Sequence, residues 1–138
     1  MSKVEYFAAP EGALRSLPFS EAVRVDELLF VSGQIGNPPG RLELAPGGIR
    51  GEARQALETM RAVLERHGSG LNAVVKCTVF LADIAEWPAF NEVYRTFFTG
   101  RLPARSALGS SGLALGARVE IECVAHVAAS RSVQATAR

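Results

Sequence analysis

The sequence predicts an α+β fold in which two helices pack on one face of a mixed sheet. Three observations carry this. Two stretches repeat apolar residues at helical spacing, several short runs are β-branched or alternate apolar with polar, and the two kinds interleave. No internal repeat and no second-domain boundary interrupt the order of strands, helix, strand, helix, strands. A chain of 138 residues, 48% hydrophobic and 21% charged, is large enough to bury one core and has the composition of a soluble globular protein. A single domain is expected over 1–128.

Val4 to Ala8 suits a short first strand, before the region of Pro10 and Pro18. Ala22 to Val25 and Leu28 to Ile35 read as a hairpin, with Asp26-Glu27 as its tight turn. The second of these strands is too apolar for a clean solvent face. Gly36 to Gly48 holds four glycines and three prolines and is a loop. No Gly-Lys-Ser/Thr follows it and no GxGxxG opens the next helix, so it does not match a phosphate-binding loop.

From about Gly51 to His67, Ala53, Ala56, Leu57, Met60, Val63 and Leu64 form one apolar stripe, with Arg54, Glu58, Arg61 and Glu65 opposite. Gly68 is placed to end that helix. Val74 to Ala82 is a β-branched strand. A second helix runs from about Glu86 to Phe98, with Pro88 in its first turn and a buried stripe of Phe90, Val93, Tyr94 and Phe97. Such a stripe is core more often than a cofactor box. Asn91 is expected off the stripe, free to point elsewhere. Arg118 to Val127 alternates, placing Glu120 and Glu122 on one face and Val119, Ile121, Cys123 and Ala125 on the other. Residues 129–138 lose all pattern and are expected to be a disordered tail.

Net charge is +1 with arginines scattered, which speaks against a nucleic-acid or anionic-membrane surface. No apolar run is long enough to span a bilayer and no secretory signal pattern opens the chain, so the cytoplasm is expected. Cys77 and Cys123 sit in apolar strands, as reduced buried thiols do, and neither has a sequence neighbour that would activate it. With no CxxC and with His67 far from His126, no metal site is expected. There is no GxSxG elbow.

Between the second helix and the last strand lies Leu102-Pro103-Ala104-Arg105-Ser106-Ala107-Leu108-Gly109. Pro103 favours an edge strand or loop end there, and Arg105 is its one strong charge. A guanidinium so placed can offer a planar fork of donors to a carboxylate. Glu120 and Glu122 could serve acid–base chemistry, though such a pair is more often a solvated face.

Five segments, taken in order and spacing, go further. Val31-Ser32-Gly33-Gln34-Ile35, Val75 to Asp83, Asn91-Glu92-Val93-Tyr94 with Phe97-Phe98, Pro103-Ala104-Arg105-Ser106 and Val119-Glu120-Ile121-Glu122 together closely resemble the RidA family, the YjgF-type reactive intermediate deaminases. The resemblance covers roughly residues 18–127. It implies a chorismate-mutase-like α+β fold, a homotrimer with sites in the clefts between subunits, and hydrolysis of 2-aminoacrylate-type enamine/imine intermediates to 2-oxo acids and ammonia. It assigns Arg105 to the substrate carboxylate and Glu120 to the attacking water, with Ser32 and Asn91 as polar positions nearby. An iminium carbon is already electrophilic, so an oriented water and a proton acceptor suffice, and no cofactor is required.

Two positions depart from the family pattern. Phe19 stands where a tyrosine is frequent and Ala107 where a cysteine is frequent. Phe19 loses a hydroxyl and Ala107 keeps only its backbone for substrate, so the pocket is expected to be more apolar, with substrates shifted toward larger apolar imines or activity reduced. The alternatives are a pathway-specific deaminase on the same scaffold, a non-enzymatic small-molecule binder or chaperone-like protein, and, least favoured by the charge, an RNA-cleaving protein.

Overall fold

A computed structural model describes residues 1–128, so the expected tail at 129–138 lies outside the described residues. Six strands form one sheet: β1 (Val4–Phe7), β2 (Ala22–Val25), β3 (Leu28–Gln34), β4 (Val74–Leu81), β5 (Ala104–Gly109) and β6 (Val119–His126). Their spatial order is β1-β2-β3-β6-β4-β5, antiparallel throughout except for the parallel pair β4–β5. A parallel pair needs a long return, which α2 (Trp87–Phe97) supplies. The longer helix α1 (Gly48–Arg66) bridges β3 and β4.

α1 begins three residues before its expected start. Gly47 and Gly48 read as the end of the loop, but Ile49 adds an apolar residue to the stripe and its burial carries the helix back. Gly51 is required for room, since a Cβ there would strike the Pro46 carbonyl. Gly68, at φ +83°, ends α1 as expected; Ser69 N–H donates to the Leu64 carbonyl at 2.8 Å and Gly68 N–H to that of Glu65 at 3.3 Å.

Both helices lie on the face that carries Leu29, Val31, Cys77, Val79, Leu81, Val119, Ile121, Cys123 and Ala125. Leu57, Met60 and Leu64 of α1 and Phe90 of α2 fill the space against them, fully buried. Each such side chain contributes about 1.5–3 kcal/mol of burial free energy. The other face has no helix over it among the described residues. Two details of α2 differ from expectation. Phe98, not Phe97, completes the buried stripe, while Phe97 is half-buried under the Arg61 guanidinium at 5.3 Å. Asn91 is buried rather than free to point elsewhere.

Candidate active site

β4 sets the side on which Arg105 projects. Cys77 pairs with Arg105 and Val79 with Ala107 in parallel register, and paired residues share a face. Arg105 and Ala107 therefore lie on the helix side, where Ala107 packs against the core. The half-buried Arg105 meets α2: its Cζ is 4.7 Å from the centroid of the Tyr94 ring, 5.7 Å from Trp87 and 5.8 Å from Phe90. Among the described residues no carboxylate lies within ion-pair distance of it and its side chain makes no hydrogen bond.

Asn91 sits one turn from Trp87 on the same helix. Its Oδ1 is buried without a hydrogen-bond partner among the described residues, while the buried Tyr94 hydroxyl meets the Cys77 thiol. Buried polar atoms are rarely left unmatched, so the Asn91 amide oxygen, on the helix that carries the rings around Arg105, is a candidate contact for a polar guest. Burial pushes the Tyr94 phenol well above its ordinary value, and the neighbouring Cys77 thiol adds to the shift. Burial likewise raises Cys77 and, more strongly, Cys123. Both thiols stay protonated at neutral pH and are poor nucleophiles.

Glu120 lies on the opposite side. It pairs with Phe80 and alternates with the buried Val119 and Ile121, as the sequence predicts. Burial raises its carboxyl above the ordinary value of 4.5, and the charge of Glu122, on the same face, raises it further. The carboxylate rests over Gly33, where a Cβ would collide with it. This close approach occurs at a bulge: Ser32 and Gly33 together oppose Glu122 between the pairs Val31–Cys123 and Gln34–Ile121.

Ser32 Oγ donates to the Ser20 carbonyl at 2.6 Å, and its N–H donates to the Glu21 carbonyl at 3.1 Å. The serine thus fixes the segment that carries Phe19, whose ring is exposed. Beneath that segment the buried Glu21 accepts from Arg66 at 2.6 and 3.2 Å and pairs with His67 at 2.6 Å, tying β2 to the end of α1. No local pattern announces this clamp, because its partners are 45 and 46 residues apart.

One chain therefore sorts the candidate residues into two separate groups. Arg105, Ala107 and Asn91 gather on the helix side, while Glu120 belongs to the open side near the Ser32–Gly33 bulge. From Arg105 the path to Glu120 crosses two strand spacings and three residues along β6, roughly 14 Å between Cα atoms, and the side chains diverge. A small imino acid cannot touch both in one copy. Trp87, Tyr94 and Gly33 were not singled out as site residues from the sequence. The first two share the spacing of the core stripe, and Gly33 acts through a contact with a strand far along the chain.

A six-stranded mixed sheet with both helices on one face is a chorismate-mutase-like α+β domain. The chain belongs to the family described as Endoribonuclease L-PSP, the RidA/YjgF family, whose pattern matches residues 11–127. It is 46% identical over 108 residues to the mouse 2-iminobutanoate/2-iminopropanoate deaminase, covering 78% of this chain and 80% of that protein. The human protein of the same name is 44% identical, with 78% and 79% covered. Among solved structures, the YjgF gene product of E. coli superposes with a TM-score of 0.81 at 30% identity, covering 88% of this chain and 98% of that one. RidA of an Antarctic Psychrobacter does so with 0.78 at 33%, covering 90% and 98%. No helix among the described residues is long and apolar enough to cross a membrane.

Proposed function

We propose that this protein hydrolyses enamine/imine intermediates of the 2-aminoacrylate type to 2-oxo acids and ammonia, as a homotrimer in which each site joins two copies. Arg105 of one copy binds the substrate carboxylate through its donor edge, and Glu120 of the neighbouring copy holds the attacking water. The observation that carries the reading is the ring-held guanidinium of Arg105, a cation with no carboxylate partner among the described residues. The names of the mouse and human relatives supply the reaction class.

Water adds to C2 of the iminium while Glu120 takes its proton, giving a carbinolamine. Glu120 returns that proton to the nitrogen, the C–N bond breaks to release ammonia, and the hydroxyl passes its own proton to the departing ammonia, by way of Glu120, as C2 becomes the carbonyl of the 2-oxo acid. A carboxylate whose pKa is raised by burial is a better proton acceptor than one free in water. The assembly is supported by the separation of Arg105 from Glu120 within one chain and by the apolar residues Tyr6, Phe30 and Leu108 left exposed on the open sheet face. Phe19 and Ala107 make the pocket more apolar and favour larger apolar imines.

An amino-acid oxidase generating imino acids in the presence of semicarbazide tests this directly. Wild type suppresses semicarbazone formation, and Arg105→Ala and Glu120→Ala each lose the effect. Co-refolding the two inactive variants at equal amounts restores about a quarter of the sites if each needs an arginine from one copy and a glutamate from the next. A mixture as inactive as its components sinks the shared-site reading.

A further inference from the structure

Five arginines among the described residues are held in contrasting ways. Arg66 is gripped by both oxygens of Glu21, Arg118 by Glu86 at 3.1 Å, and Arg50 by Glu92 at 2.8 Å. In each case the donors are used and the charge is neutralised. Arg61 combines the Phe97 ring with Glu58 at 3.8 Å. Arg105 alone among these lies against three rings with no carboxylate.

The distinction is chemical. A guanidinium carries its five N–H donors in its plane and its π surface above and below. A carboxylate partner takes the donor edge, whereas an aromatic partner takes the face and leaves the edge available. Three rings spaced along one helix thus immobilise Arg105 without consuming what a substrate carboxylate needs. An arginine in water would have to give up rotamer freedom on binding, and here that ordering is already done.

The geometry points to Trp87 and Tyr94 as positioning residues for Arg105, ordering its guanidinium for a carboxylate while leaving its hydrogen-bonding edge and charge unspent. Tyr94, 7% exposed, forms the closed inner end of this platform, and Trp87, 43% exposed, its outer end. Phe90, fully buried, supports the middle. This role rests on the assignment of Arg105 to the substrate carboxylate given above. The stripe of α2 is then core on one side and arginine holder on the other.

Trp87 is the sole tryptophan of the chain, so its emission reports on this site without any turnover. The assembled wild-type protein is titrated with 2-oxobutanoate, a stable 2-oxo acid, by fluorescence and by calorimetry. Saturable binding is expected, with Arg105→Ala abolishing it. By calorimetry Trp87→Leu binds about three- to tenfold more weakly, the scale of one partly exposed cation–π contact. Trp87→Phe recovers most of the affinity, and Phe97→Leu, which removes the ring under Arg61 instead, binds as wild type. In the deaminase assay KM of Trp87→Leu rises in step with Kd and kcat falls less. In the wild type the Arg105 Nε–H resonance is displaced by ring currents, a readout that survives if a variant folds poorly.

Equal affinity in Trp87→Leu and wild type, or an Arg105 Nε–H resonance at its free-arginine position, overturns the positioning role and leaves the carboxylate role of Arg105 standing. Undiminished binding by Arg105→Ala, or no binding by wild type, removes the carboxylate reading and the positioning role with it.

Discussion

The two faces of the sheet are built from the same strands and end up in opposite states. On one, nine strand residues from Leu29 to Ala125 are sealed beneath α1 and α2, none more than 4% exposed. On the other, Phe30, Leu108 and Tyr6 remain 43%, 44% and 73% exposed beside Lys76, Glu120 and Glu122. The alternation of a strand makes both sets inevitable; what differs is whether the chain covers them itself. The covered face yields a stable protomer and holds the arginine. The uncovered one holds the carboxylate and the apolar residues on which the proposed trimer would close.

The contrast can be broken hardest from the covered side. Leu57→Ala removes a fully buried side chain at the centre of α1 and is expected to cost about 2–5 kcal/mol, read as a lower urea midpoint with an unchanged slope. Phe30→Glu on the open face is expected to leave the protomer's circular dichroism intact but to turn the sedimenting species from trimer to monomer, with loss of deaminase activity. Should Phe30→Glu unfold the protomer instead, the open face is not merely an interface and the contrast is wrong.

Smaller effects sharpen it. Because burial and Glu122 both raise the Glu120 carboxyl, the proposed base role predicts activity at neutral pH that falls with acid through a midpoint above 4.5. Glu122→Gln removes the like charge, lowers the Glu120 pKa and moves that limb toward lower pH, by less than about one unit for an exposed neighbour. A limb that does not move, or moves upward, assigns the titration to another group.

Much of the architecture was legible before any coordinates. β2 falls on the residues expected of it, and the parity of β6 placed Glu120 and Glu122 together. The misreadings have physical causes. At about 100° per residue Asn91 falls among Trp87, Tyr94 and Phe98, but taking Phe90, Val93 and Phe97 as the centre of the stripe rotated the predicted arc away from it. The side on which Arg105 projects follows from the register of β5 on β4, a tertiary fact that a short edge strand does not announce. Likewise the clamp of Glu21 and the bulge at Ser32–Gly33 depend on partners distant in sequence.

Gly33 separates folding from chemistry. Seven glycines of this chain adopt positive φ, and Gly33 is not among them, so its torsions would accept any residue. Only the resting place of one carboxylate forbids a side chain there. A methyl added at this position would therefore leave backbone geometry within ordinary limits while turning aside the carboxylate proposed as the general base. The outcome is a protein that assembles and binds its carboxylate yet turns over slowly: a substrate trap one carbon atom away from the enzyme.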